Sequence, residues 1–373
     1  VADLTLKRVH LENDPSVVPV DYFHALDGGR LQCDLCPRAC KLRDGQRGLC
    51  FVRGRIGDEM VLTTWGRSSG FCVDPIEKKP LNHFLPGSPV LSFGTAGCNL
   101  SCSFCQNWDI SKSRQMDTLA SIAGPADIAA AAASTGSRSV AFTYNDPVIF
   151  LEYARDVAAA CHEQDIKTVA VTAGYITDDA RPDFFRFIDA ANVDLKAFAN
   201  AFYRKQCGGE LQPVLDTLNY LVNETDVWVE ITTLLIPGLN DSADELQRLA
   251  EWCVSTLGPD VPVHFSAFHP DYKLTDRGRT PVQTLRKARR ICMAAGMRYV
   301  YTGNVHDKDG DTTLCHGCGE PVIVRDWYEL SRYELDDSGH CRSCGTQIPG
   351  RFDGPAGDWG RKRMPLSTRG VAH

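Results

Sequence analysis

The chain has 373 residues, 43% of them hydrophobic and 23% charged, ordinary globular values that exclude a disordered or collagen-like chain. Forty Lys and Arg against 47 Asp and Glu leave a net charge of −7, which argues against a broad nucleic-acid surface. No apolar run reaches the roughly 18–20 residues that a bilayer span needs. The opening VADLTLKRVHLENDP lacks the apolar core of a signal peptide, so a cytoplasmic location without membrane contact is expected.

In chain order, residues 1–30 read as an extended lead-in. Residues 31–88 form a small module rich in Gly, Arg and Cys, closed by HFLPGSP. Such a module cannot bury much core alone, so a metal or the main domain must support it. From 89 to 305, short β-branched runs alternate with helical ones. PVLSFGT, SVAFTY, KTVAVT, ANVDLKA, VWVEITTLLI, VPVHFSAF and RYVYTG suit strands. Between them GPADIAAAAASTG, DPVIFLEYARDVAAACHEQ, DDARPDFFRFIDA, LQPVLDTLNYLVN, DSADELQRLAEWCVST and TPVQTLRKARRICMAAG suit helices. This alternation predicts an α/β fold: six or seven βα units in a parallel sheet, closed into a full or partial barrel. Residues 306–350 form a cysteine-paired module, and 351–373 form a basic tail, flexible or loosely packed.

Eleven of the 16 cysteines fall into three groups. In a reducing compartment, close clusters of this kind read as metal sites rather than disulfides. The other five, Cys72, Cys161, Cys207, Cys253 and Cys292, read as small buried hydrophobes.

Cys98, Cys102 and Cys105 stand in one loop, CNLSCSFC, directly after the first barrel strand, where parallel barrels place their chemistry. Three local thiolates on a cubane iron–sulfur cluster leave one iron open to a ligand. The spacing alone also allows a zinc site completed by a remote His or Asp. Cys315-x2-Cys318-Gly319 and Cys341-x2-Cys344-Gly345 make two knuckles separated by residues 319–340, the arrangement of a zinc ribbon with a closed, structural metal. Cys33, Cys36, Cys40 and Cys50 could hold either zinc or an auxiliary [4Fe–4S] cluster. Zinc is favoured there because the module needs a staple and no sequence feature demands electron transfer.

C-x3-C-x2-C with Phe104 before the last cysteine resembles the radical S-adenosylmethionine (SAM) superfamily. Residues 89–305 look most like its pyruvate formate-lyase activating enzyme branch. CDLCPRAC…GLC, FTYNDP and CxxCG…CxxCG…IPG are similar to the AmmeMemoRadiSam system enzymes. The resemblance implies a [4Fe–4S] cluster on Cys98, Cys102 and Cys105, whose open iron takes the amino and carboxylate groups of SAM. Reductive cleavage would then give a 5′-deoxyadenosyl radical that abstracts hydrogen from a protein or small-molecule substrate.

By the same resemblance, the SAM contacts would come from Asn145 and Asp146, in place of the branch's GGE, with Thr172, Asp194, Lys196 and His269. Residues two apart on a strand share a face, so Asp194 and Lys196 should both point into the barrel. A structural ion pair is the plainer reading of those two, and a surface loop residue the plainer reading of His269. Val171 stands where the activating enzymes carry an aspartate beside a monovalent cation, which argues against that cation. Gly208-Gly209-Glu210 matches GGE in letters but follows the fourth strand, so it is read as a turn. Ile236–Asp241 (IPGLND) should be a strand exit with Asn240 or Asp241 capping the next helix.

The implied partners are a reductase, flavodoxin or ferredoxin as electron donor, and either a protein substrate or Memo-like and Amme-like proteins. A glycyl-radical activating role is the alternative within the enzyme class. Outside it, the chain would be a non-enzymatic zinc and iron–sulfur scaffold or an electron carrier. Nucleic-acid modification is disfavoured by the acidic charge.

Overall fold

The computed structural model describes residues 14–114, 119 and 121–366. Most of the opening segment read for an export signal, and residues 367–373 of the tail, lie outside these. All seven expected strands form, at Pro89–Phe93, Ser139–Phe142, Lys167–Thr172, Ala190–Asp194, Trp228–Leu235, Val263–Ala267 and Val300–Gly303. Each pairs in parallel with the next. Helices cross back between them, which returns every strand to the same end and covers the outer face. Strands so enclosed are apolar on both sides: Ser139–Phe142 and Val263–Ala267 are buried at every residue.

The sheet has nine strands. Phe71–Pro75 pairs antiparallel with Pro89–Phe93, and Met364–Leu366 pairs antiparallel with Phe71–Pro75. Among the described residues no pairing joins the Val300–Gly303 edge to the Met364–Leu366 edge, so the barrel is partial. The sequence suggests a front module for Phe71–Pro75 and a loose tail for Met364–Leu366. Both instead belong to the main sheet, Phe71–Pro75 paired on both sides and Met364–Leu366 at its edge. Without them Pro89–Phe93 would present an unpaired row of N–H and C=O groups.

The helices take their faces from the sequence pattern. Gln212–Glu224 buries Val214, Leu218 and Leu221, a stripe at helical spacing. Ala243–Trp252 is capped by Ser242, whose Oγ accepts from the Glu245 N–H at 3.2 Å. This corrects the expected cap. Asn240 is buried, accepts from Ile236 N at 2.7 Å and donates to the Lys196 carbonyl at 2.8 Å. Asp241 accepts from Gly238 N at 2.8 Å. Both residues hold the strand exit rather than the helix start.

The front module has no core of its own. Leu31, Leu42, Val52 and Met60 belong to the same buried cluster as the barrel. The C-terminal module is a three-stranded antiparallel sheet containing Pro321–Asp326 and Glu329–Tyr333. Its Val322, Ile323, Leu335 and Ile348 pack against Tyr299 and Tyr301 at the last parallel strand. Buried polar groups fix the seam. Arg325 donates to the Asn82 carbonyl at 2.6 Å, and the His83 ring bonds the Tyr301 hydroxyl at 2.5 Å and the Pro349 carbonyl at 2.7 Å.

Candidate active site

The loop after the first parallel strand is held from outside by backbone. Ser101 N and Ser103 N donate to the carbonyls of Cys207 and Gln206, both at 2.8 Å. Those carbonyls end a single wide helical turn, Tyr203–Cys207. Gly208 follows with φ near +63°, and a methyl there would meet Ser101 Oγ at 2.3 Å. A side chain on Gly209 would meet Leu100 at 2.7 Å. The Gly208-Gly209 pair is thus more than a turn: its lack of side chains lets the loop approach closely. Lys112 Nζ and Arg38 Nε add bonds of 2.8 Å to the carbonyls of Leu100 and Asn99.

So braced, Cys98, Cys102 and Cys105 all line one cavity with about 400 Å³ of space open to water, at the C-terminal ends of the parallel strands. Burial pushes the Cys98 thiol up to about 11, with Lys112 opposing. Cys102 moves the other way. The Cys207 thiol donates to its sulfur and holds it below the ordinary thiol value, against burial. Cys105 Sγ lies 3.0 Å from Ser111 Oγ.

Asn145, Asp146, Thr172, Asp194 and Lys196 line the same cavity. Asn145 is committed to the first loop: its Oδ1 accepts from Thr95 N at 3.1 Å and its Nδ2 donates to Thr95 Oγ1 at 3.1 Å. Asp146 Oδ1 accepts from Val148 N at 3.1 Å and Thr172 Oγ1 at 2.9 Å, and its Oδ2 accepts from Ala173 N at 3.0 Å. Burial raises its pKa in spite of these donors. Lys196 Nζ donates to Asp194 Oδ2 at 2.8 Å. Burial disfavours the ammonium, but the Asp194 carboxylate and the Cys102 and Cys207 sulfurs keep its pKa well above the usual lysine value. His269 is half-buried on the loop after Val263–Ala267 and is not among the cavity's lining residues. That strand contributes Ser266 instead.

The family model for the radical SAM superfamily matches residues 93–253, the stretch that carries the three-cysteine loop, Asp146 and Lys196. The chain belongs to the radical SAM superfamily. An uncharacterized protein of Methanocaldococcus jannaschii, MJ0808, is 36% identical over 328 residues, 88% of this chain and 97% of that one. The pyruvate formate-lyase-activating enzyme of Clostridium pasteurianum is 24% identical over 193 residues, 48% of this chain and 80% of that enzyme. A 4-hydroxyphenylacetate decarboxylase activating enzyme of Clostridioides difficile (strain CD196) is 27% identical over 113 residues, 30% of this chain and 35% of that enzyme. Homology to activating enzymes is therefore shown for part of the chain.

Radical SAM proteins use a [4Fe–4S] cluster and SAM, and the lining of this cavity suits both. A single tetrahedral ion at 2.3 Å would hold its sulfurs about 3.8 Å apart. Cys98, Cys102 and Cys105 are not all drawn together within 4.8 Å of one another, so they are not gathered as a single ion would gather them. Thr232 Oγ1 and Gln106 Nε2 are buried in the cavity wall with no hydrogen-bond partner, and a polar ligand would satisfy them.

Sequence reasoning missed Thr232, Gln106 and Cys207. Thr232 stands beside Asp194 in the sheet register, visible only once the strands are paired. Cys207 had no spacing signal. It is fully buried and does not line the cavity, so it backs Cys102 without occupying the open side. Lys79 was also missed. It reaches the cavity while paired with buried Asp74 at 2.8 Å.

The ribbon cysteines have a different geometry. Cys315, Cys318, Cys341 and Cys344 offer sulfurs all within 4.8 Å of one another. Cys315 and Cys344 are 3.6 Å apart, and Cys318 and Cys341 are 3.9 Å apart. Gly319 and Gly345 take φ of +77° and +75°, which turns each knuckle back on itself. The five ungrouped cysteines are all buried.

Proposed function

We propose that this chain cleaves SAM reductively at a [4Fe–4S] cluster held by Cys98, Cys102 and Cys105, and that the radical so released abstracts hydrogen from a protein or small-molecule substrate. The observation that carries this reading is the shared cavity: three separated thiols, an ion pair and two unpartnered polar groups face one space. When bound, the cluster and SAM together supply one-electron C–S bond cleavage. The chain's own residues bind and orient. Lys196, aligned by Asp194, offers its ammonium to the SAM carboxylate. Asp146 keeps a free Oδ2 lone pair for the SAM ammonium, while Asn145 and Thr172 hold the two loops that frame it. Thr232 adds a hydroxyl. His269 lies off the cavity wall and has no assigned contact.

The ribbon cysteines would hold one structural zinc. In domain terms, 1–88 would serve as a cysteine-rich front module, 89–305 as the radical SAM core, 306–350 as the ribbon and 351–373 as the tail. For the substrate, the partial likeness to activating enzymes supports a glycyl-radical partner protein. The resemblance of CDLCPRAC…GLC, FTYNDP and CxxCG…CxxCG…IPG to AmmeMemoRadiSam enzymes would favour a different peptide or small molecule, with Memo-like and Amme-like partners. Anaerobic reconstitution, reduction through a flavodoxin or ferredoxin, and assay for 5′-deoxyadenosine test the chemistry. Failure to form that product with an intact, reduced cluster would favour a metal scaffold or electron carrier. Deuterium transfer from labelled candidates into the product then selects the substrate.

A further inference from the structure

The front module surrounds a void that the chemistry above does not use. Cys33, Cys36, Cys40 and Cys50 all line one small pocket with about 10 Å³ of space open to water, with apolar walls from Leu42, Met60 and Ile149. These four sulfurs are not gathered as a single ion would gather them. Among the described residues, the ribbon cysteines are the one set of three or more potential ligand atoms lying within 4.8 Å of one another. A zinc at 2.3 Å would bring its thiolates to about 3.8 Å, as the ribbon does. A cubane interposes four irons and four sulfides, so it needs a wider sulfur spacing.

The charges around the void fit the same occupant. Four thiolates around an oxidised cubane carry a net negative charge. Arg38 and Arg53 both line the pocket, and Arg53 Nε is buried without an acceptor. The rest of the Arg53 guanidinium is fixed by Glu152 at 2.8 and 3.0 Å. Backbone N–H groups of Leu35, Arg38 and Arg53 point at the sulfurs of Cys33, Cys36 and Cys50. A cluster sulfur would accept from the orphaned Arg53 N–H.

This pocket adjoins the first cysteine loop. The Cys50 carbonyl lies so close to Gly97 that a methyl there would approach it to 1.8 Å. Gly97 precedes Cys98. Arg38, from the pocket wall, donates to the carbonyl of Asn99, which also lines the pocket. One backbone contact therefore separates the two cysteine sites.

We propose that Cys33, Cys36, Cys40 and Cys50 hold a second [4Fe–4S] cluster, ligated by protein at all four irons, which relays single electrons to the site on Cys98, Cys102 and Cys105. An external one-electron donor of the flavodoxin or ferredoxin class reduces the second cluster from 2+ to 1+. The electron then passes to the first site and the second cluster returns to 2+, with no bond made or broken. Occupancy of the second site rests on the front-module residues alone. The relay also rests on the SAM-cleaving reading.

The test is a metal count on the full chain after anaerobic isolation and reconstitution. About eight irons, eight sulfides and one zinc are expected per chain. The triple variant Cys98→Ala/Cys102→Ala/Cys105→Ala should keep about four irons and four sulfides, with a cubane Mössbauer signature and a reduced-state EPR signal that SAM does not perturb. Wild-type protein with about four irons and two zincs would overturn the proposal, without touching the SAM reading. For the relay, the measure is the ratio of flavodoxin-driven to dithionite-driven 5′-deoxyadenosine formation in Cys36→Ser/Cys40→Ser. A fall of about tenfold or more supports the relay, and an unchanged ratio overturns it.

Discussion

The cavity cysteines and the ribbon cysteines show two ways of presenting sulfur. The ribbon folds its sulfurs against one another, 3.6 and 3.9 Å apart in pairs, through left-handed glycines that belong to the knuckles themselves. The cavity loop keeps its thiols apart and is braced from behind by the carbonyls of Gln206 and Cys207. A self-contained knuckle closes the coordination sphere of its ion, whereas a loop held open by a distant segment leaves a face for a ligand. The difference lies in who supplies the backbone support, not in the residue type.

Removing the cavity thiols would break this contrast most severely. Cys98→Ala/Cys102→Ala/Cys105→Ala should lower 5′-deoxyadenosine formation at least about a thousandfold, while zinc content stays unchanged. The complementary change, Cys344→Ala, should abolish the zinc binding proposed for the ribbon and loosen it. Metal binding supplies roughly 10–16 kcal/mol of apparent free energy in small zinc modules, so protease cleavage within 312–350 should accelerate strongly. The rate per intact cluster should then fall far less than in the triple variant.

The seam between ribbon and barrel gives a pH test. Burial lowers the His83 pKa to about 4, with Glu230 opposing and Arg325 and His264 contributing. The unfolded chain binds that proton near pH 6.5. Stability from neutral His83 is therefore full above 6.5 and is lost as pH falls towards 4, a change of roughly 3 kcal/mol. Thermal melts of wild type and His83→Gln between pH 7 and 4.5 should show a flatter slope for the variant.

Smaller effects sharpen the account of the cavity. Lys196→Met should raise the SAM concentration for half-maximal cleavage about 10–100-fold, the worth of a charge-assisted hydrogen bond of ~1.5–3 kcal/mol. SAM titration of the reconstituted variant checks this. Cys207→Ala removes a donor to Cys102 sulfur and should lower the cluster potential by about 20–60 mV, from ~0.5–1.5 kcal/mol at 59 mV per tenfold. Redox titration by EPR reads that shift.

The sheet was legible because βα alternation leaves its period in the chain: six of the seven parallel strands fall within the runs that the sequence marks, and Ala190–Asp194 starts one residue before its run. The cysteine loop was legible because its ligands are local. What escaped depends on distant packing. Phe71–Pro75 and Met364–Leu366 are strands only because each pairs along the sheet edge. Gly208-Gly209 acquires its purpose only when Leu100 and Ser101 arrive opposite. Cys207 looked like any buried thiol until the turn carrying it met Cys102. The Ser242 cap was displaced by two residues because Asn240 is drawn inward by Lys196 and Ile236.

The short strand Met364–Leu366 has a consequence for the protein's solution behaviour. It covers the outer rim of Phe71–Pro75 with a segment almost three hundred positions away. A copy trimmed before Met364 would bare a ready template for another molecule's backbone, and such copies would tend to stick rim to rim. The last described residues thus act as a guard against self-adhesion.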